Sequence, residues 1–174
     1  MEPSQIPDNH PLRRFFRTLT DRAFSQSSLH DRDLLFYLSD LLVAFIDIEE
    51  LYQVKDEEGK DVTYLIDMMQ VANRTPAPQR KHCYRHMGDY SLFILGMYPE
   101  SLNRGKRSIP SSYYVDTGRR SYLEASQLEA DTEAVVVLRK LVDKYERCVL
   151  SLNWVREYTH DPFYQYMLRQ FQDS

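Results

Sequence analysis

Apolar residues recur at helical spacing along nearly the whole chain. Leu12, Phe16, Leu19 and Ala23 follow one another at 4, 3 and 4 positions, with Phe15 beside them. This spacing predicts a one-sided helix from Pro11 to about Ser25, capped by Asn9 or His10 with Pro11 in its first turn. Ser28-x-x-Asp31 signals a second start, and Leu34, Leu38, Leu41, Phe45 and Ile48 then repeat at 4, 3, 4 and 3. A third helix, from about Val62 to Ala72, carries Leu65, Met68, Met69 and Ala72, and the RTPAP segment 74–78 ends it. A central helix is predicted from about Gln79 to Met97. Another starts at Ser111 or Ser112 and runs through Leu128.

The most regular pattern comes late in the chain. Ala134, Leu138, Leu141, Tyr145, Cys148, Leu152 and Val155 alternate at 4 and 3, and Val135, Val142 and Val149 widen the stripe. The pattern predicts one helix over 131–158, about 42 Å long at about 1.5 Å per residue. It suits the spine of an intramolecular bundle better than a dimer seam. Asp161 and Pro162 then open a short last helix with Phe163, Tyr166, Met167 and Phe171. The fold class that follows is all-α, a single domain over 1–174 built as a bundle of six or seven mostly antiparallel helices, with residues 1–9 loose.

The central helix carries most of the candidate chemistry. His82, His86, Asp89 and Phe93 fall on one narrow stripe at about 100° per residue, opposite Tyr84, Met87, Ser91, Ile94 and Leu95. The first half is therefore amphipathic, and its polar edge is expected to be partly exposed with Asp89 paired to an arginine. From Tyr90 onward the helix is apolar almost all round, which predicts neighbours on several sides. Gly88 predicts close backbone approach by a neighbour, and Gly118 further on predicts close packing. Gly96 is placed near the helix end, because Pro99 follows.

Composition narrows the classes. The chain has 174 residues, enough for one real core, and only five glycines, which argues against a turn-rich β architecture. Net charge is −4, so nucleic-acid binding is not advertised. Residues 47–67 hold eight acids against two bases, and 74–120 hold nine bases against three acids. Two oppositely charged surfaces follow from this, and the basic loop 103–110 offers a weak phosphate site. The absence of an apolar leader, of a membrane-length apolar run and of a disulfide framework points to a cytoplasmic protein. No nucleotide-binding, hydrolase or zinc-protease motif is present.

Three candidate chemistries remain. His82 and His86 at i and i+4, with Asp89, have metal-ligand spacing; Glu157-x-x-His160 is the unit that di-iron carboxylate bundles use, and Asp40 and Asp47 could join them. Such a mixed nitrogen and oxygen set suits iron, manganese or zinc. Tyr90, Tyr113, Tyr114, Arg119 and Tyr122 could wall a pocket for a planar or anionic ligand, or merely pack helix on helix. Cys83 has basic neighbours that favour a thiolate, yet its flank position favours a buried, inert thiol, as does the heptad position of Cys148. The functional expectation that gathers the most features is a non-catalytic binding or assembly protein, homodimeric, with a metal-binding bundle and a small-molecule binder as alternatives.

Over residues 80–125 the pattern Gly88-Asp89-x-x-Leu92-Phe93-x-x-Gly96-x-Tyr98-Pro99-Glu100-Ser101-Leu102, followed by Tyr113-Tyr114 and Gly118-Arg119-x-x-Tyr122, resembles an uncharacterised family of bacterial helical proteins. The resemblance implies a helical fold and a bacterial cytosolic origin, and it brings no activity or site.

Overall fold

A computed structural model describes residues 7–46, 60–103 and 110–173. Of these, 86% are helical and none is in a strand. In chain order the helices are α1 (Pro11–Gln26), α2 (Arg32–Ile46), α3 (Lys60–Arg74), α4 (Ala77–Met97), a 3-10 helix (Pro99–Asn103), α5 (Ser111–Leu128), α6 (Thr132–Asp143), α7 (Tyr145–Thr159) and α8 (Pro162–Gln172). Asp47, Ile48, Glu49 and Glu50 of the expected second helix lie outside the described residues. So do residues 47–59 of the acidic segment 47–67 and residues 104–109 of the basic loop.

Local signals set most of the starts. His10 caps α1, its Nδ1 accepting the Leu12 N–H at 3.1 Å. Asp31, not Ser28, caps α2: its carboxylate accepts the Leu34 N–H at 3.1 Å, while Ser28 takes a left-handed turn at φ 53°. Asp131 and Asp161 cap α6 and α8 by accepting from Glu133 and Phe163. Four of the eight α-helices among the described residues thus begin on a side chain that takes up a free N–H.

Helix α4 is the centre. Helices α5, α7, α3 and α2 all pack against it. Its run from Met87 to Gly96 is buried except at Asp89, which is partly exposed. A helix enclosed on several sides has no solvent face to keep polar, which is why this segment reads as apolar all round. Both of its glycines are contact points. A Cβ on Gly88 would sit 2.6 Å from the Tyr122 ring of α5, and one on Gly96 would collide with Leu152 of α7. Gly96 is also one residue from the end of α4, where the following Pro99 placed it. The α4 carbonyls left open there are taken by Asn153 of α7, whose Nδ2 donates to Leu95 and Gly96 oxygens at 3.2 and 2.7 Å.

The long heptad helix is two helices. Its stripe is correct, since Leu138, Leu141, Tyr145, Cys148, Leu152 and Val155 are all buried. The axis, however, breaks at Lys144, where φ −112° and ψ 23° leave the helical region. This break accounts for eight helices where six or seven were expected. It lets α6 lie along α5 while α7 turns across α1 and α4. The junction is tied to the start of α2, with the Lys140 and Lys144 amines 3.2 and 3.5 Å from Asp31 and Lys140 also 2.9 Å from Asp33. At Gly118 the missing side chain makes room for the ring of Tyr145, the first residue of α7.

Helix α8 closes the order less completely. It rests on α1 and α7, with Met167 and Phe171 packed on the core, but none of its residues is fully buried. Phe163 and Tyr166, expected among its packing residues, stay 64% and 62% exposed.

Replacing Gly96 by Ala tests how rigidly α4 meets α7. Overpacking costs about 1–3 kcal/mol, and the better helix propensity of Ala returns about 1 kcal/mol. A net loss of up to about 2 kcal/mol is expected in urea unfolding with an unchanged m-value. Equal or higher stability would mean that the two helices can separate at no cost.

Candidate functional site

The histidine and aspartate stripe of α4 faces α2. Phe45 of α2 stacks on the His86 ring at 5.9 Å and on Phe93 at 4.9 Å between centroids. His82, a turn earlier, is exposed, and His86 is half-buried. Burial lowers the His86 pKa, and the nearby Asp89 charge only partly opposes this.

Asp89 is drawn inward. Tyr37 of α2 and Tyr122 of α5 both donate their phenol protons to the same oxygen, Oδ1, at 2.6 and 2.7 Å. Arg85 Nε donates to the Tyr37 hydroxyl at 3.2 Å, and its guanidinium lies 5.3 Å from that ring's centroid. Arginine and carboxylate thus meet through a phenol, where a direct pair was expected. Burial raises the Asp89 pKa above the usual carboxyl value, against the pull of the two phenols, Arg85 and His86. Burial and the neighbouring carboxylate push both phenol pKa values well up. The phenols therefore keep their protons and remain donors. This arrangement can hold three helices together, with both phenols spent on one carboxylate oxygen.

The other predicted ligands lie elsewhere. Among the described residues no group of three or more His, Cys, Asp or Glu side chains is placed to hold a metal ion. His160 caps the end of α7 and lines a groove with Met97 and Tyr98. That is the far end of α4, about 20 Å along the helix from His82 at about 1.5 Å per residue. Glu157 is exposed, 3.7 Å from Arg156. Asp40 pairs with Arg13. The five residues of the expected aromatic pocket differ in burial. Tyr90, Tyr114 and Tyr122 are fully buried, Tyr113 stacks edge-on against Tyr114, and Arg119 is exposed, 3.9 Å from Glu146. Cys83 is half-buried; Cys148 is buried, and burial pushes its pKa up to about 12.

Two surface features escaped the sequence reading. The first is a strip across α7, α1 and α8. Trp154 stacks on Tyr158 at 6.2 Å, the Arg22 guanidinium lies 4.3 Å over Tyr158, and Arg22 donates to the Tyr164 hydroxyl at 3.1 Å. Phe163 packs edge-on to Tyr164 at 5.8 Å. Leu150, one turn before Trp154, is 49% exposed, and Trp154 itself is 37% exposed. The second feature is a groove of about 440 Å³ between α7, α8 and the end of α4. Neither has a local motif, because Arg22 and Tyr164 meet across 142 positions of sequence.

The Asp89 clamp is testable by pH. A carboxyl whose folded pKa is raised contributes stability below its ordinary pKa and loses that contribution as pH rises through the raised value. Asp89→Asn keeps an acceptor oxygen and removes the charge, so its stability relative to wild type is expected to improve as pH climbs from about 4 to 7. Asp89→Ala strands two buried phenols and is expected to cost about 3 kcal/mol. Parallel urea curves for wild type and Asp89→Asn at every pH would refute the raised pKa.

Among the described residues no helix is long and apolar enough to cross a membrane. No family model, curated protein or solved structure matches the chain.

Proposed function

We propose that the chain is a non-catalytic binding and assembly protein that pairs with a second copy of itself through the strip formed by Leu150, Trp154, Arg22, Tyr164 and Phe163. The observation that carries this reading is the composition and continuity of the strip. Tryptophan, tyrosine and arginine are the residues that dominate protein interfaces, because they bury large area at modest entropic cost and hold a polar handle. Here they are joined ring to guanidinium to ring across three helices, so they are held in place before any partner arrives.

A second copy is the favoured partner for a chemical reason. A two-fold interface must be complementary to itself. The strip offers both an aromatic face, Trp154, and a guanidinium, Arg22, so each copy supplies what the other can stack on. The chemistry around Asp89 supports the non-catalytic part of the reading, since its phenols and carboxylate serve one another.

Trp154 is the only tryptophan in the chain, which makes the reading easy to test. Sedimentation equilibrium is expected to show a concentration-dependent dimer, with Trp154 emission shifting to the blue as the dimer forms. The double variant Trp154→Ser/Phe163→Ser should remain monomeric, with an unchanged far-UV circular dichroism spectrum. A wild-type protein that stays monomeric at about 100 μM, the weak end of specific association, would end the homodimer reading.

A further inference from the structure

The groove beside α8 has two kinds of wall. Phe16, 1% exposed, belongs to its floor together with Met97 and Leu168. Its rim carries Arg156, His160 and Arg169 against a single acid, Glu100. Glu100 and Glu157 both pair with Arg156, so Arg169 is the rim arginine with no acid of its own among the described residues.

Each arginine has capacity to spare. Arg156 is only 24% exposed and is fixed between two acids, Glu100 Oε2 at 2.9 Å from its Nη2 and Glu157 Oε1 at 3.7 Å from its Nη1. Its Nε is buried and makes no hydrogen bond to a described residue. Arg169 stands on the exposed last turn of α8 and enters no ion pair with a described residue. Arg169, a groove-lining guanidinium with no ion pair to a described residue, can receive an added carboxylate, and Arg156 lines the same groove. The apolar floor has no use for a bare ion. It requires that the anion carry a hydrocarbon body, and about 440 Å³ is enough for a small one.

We infer that this groove binds a small amphipathic carboxylate, its head on Arg169 and Arg156 and its aliphatic or aromatic body over Phe16, Met97 and Leu168. The inference is independent of self-association. Trp154 and Arg156 are two positions apart on α7, about 200° around the helix, so strip and groove occupy different flanks.

Isothermal titration with octanoate, below its micelle concentration, tests the site. One saturable site is expected. Acetate, which lacks the body, and octylammonium, which reverses the charge, are expected not to bind. Shortening octanoate to butyrate should weaken binding by at least about tenfold, since each methylene removed gives up apolar burial. Arg169→Gln should weaken octanoate about tenfold while leaving the thermal midpoint of the free protein unchanged, because this side chain is exposed and pairs with nothing described. Arg156→Gln should weaken it as well. Repeating the titration on the Trp154→Ser/Phe163→Ser variant separates this site from the proposed dimer face, and octanoate binding should persist there. Octylammonium binding as tightly as octanoate, an Arg169→Gln affinity equal to wild type, or uptake without saturation would each overturn the inference.

Discussion

One carboxylate oxygen receives two phenol protons, and much of the architecture depends on that meeting. Tyr37 comes from α2, Tyr122 from α5, and Asp89 from the helix between them. Each partner makes the others tolerable. A partly buried carboxylate is costly without donors, and two buried phenols are costly without an acceptor. The clamp is also specific in position. Gly88, the residue before Asp89, lets the Tyr122 ring lie against the α4 backbone. A side chain there would push away the ring that supplies one of the two protons. Packing and hydrogen bonding at this point are therefore one constraint.

The same constraint explains why the central stripe is only partly a solvent edge, with His82 exposed and His86 and Asp89 half-buried. Sequence spacing puts His82, His86 and Asp89 on one side of α4, and a polar side normally faces water. Here that side meets α2, which contributes an aromatic ring to His86 and a phenol to Asp89. Tyrosine makes this possible, because it can pack like phenylalanine and still donate a proton. A chain with thirteen tyrosines can bury polar positions that a leucine-rich bundle would have to expose.

What the sequence revealed and what it hid differ in range. Helix positions were legible because the signal is local. The bounds of α1 and α5 match the apolar spacing to within about two residues, and the heptad stripe correctly named the buried side of α6 and α7. Close packing was legible at Gly88 and Gly118, where a helix tolerates a poor former only for a reason. The break at Lys144 was not, since no proline or glycine marks it and the stripe runs through it in phase. The partners of Asp89 were not legible either, because Tyr37 and Tyr122 lie 52 and 33 positions away. The full burial of Tyr90, Tyr114 and Tyr122 was not legible for a related reason. Composition counts tyrosines but cannot tell a pocket wall from a core ring.

Among the described residues, both surface features border α8, the helix with no buried residue. Without the break at Lys144, a straight 131–158 helix would have stayed along α5. Turning instead, α7 crosses α1 and the end of α4, and it presents opposite flanks to two different environments. One flank carries Trp154 and Tyr158 toward Arg22, and the other carries Arg156 toward Glu100. Helix α8 then lies over this crossing with its inner residues only half covered, so it borders both flanks and fills neither. A fully buried last helix would have hidden the aromatic strip and closed the groove. The partial docking of α8 is thus the structural cause common to both, and it follows from the change of direction one helix earlier.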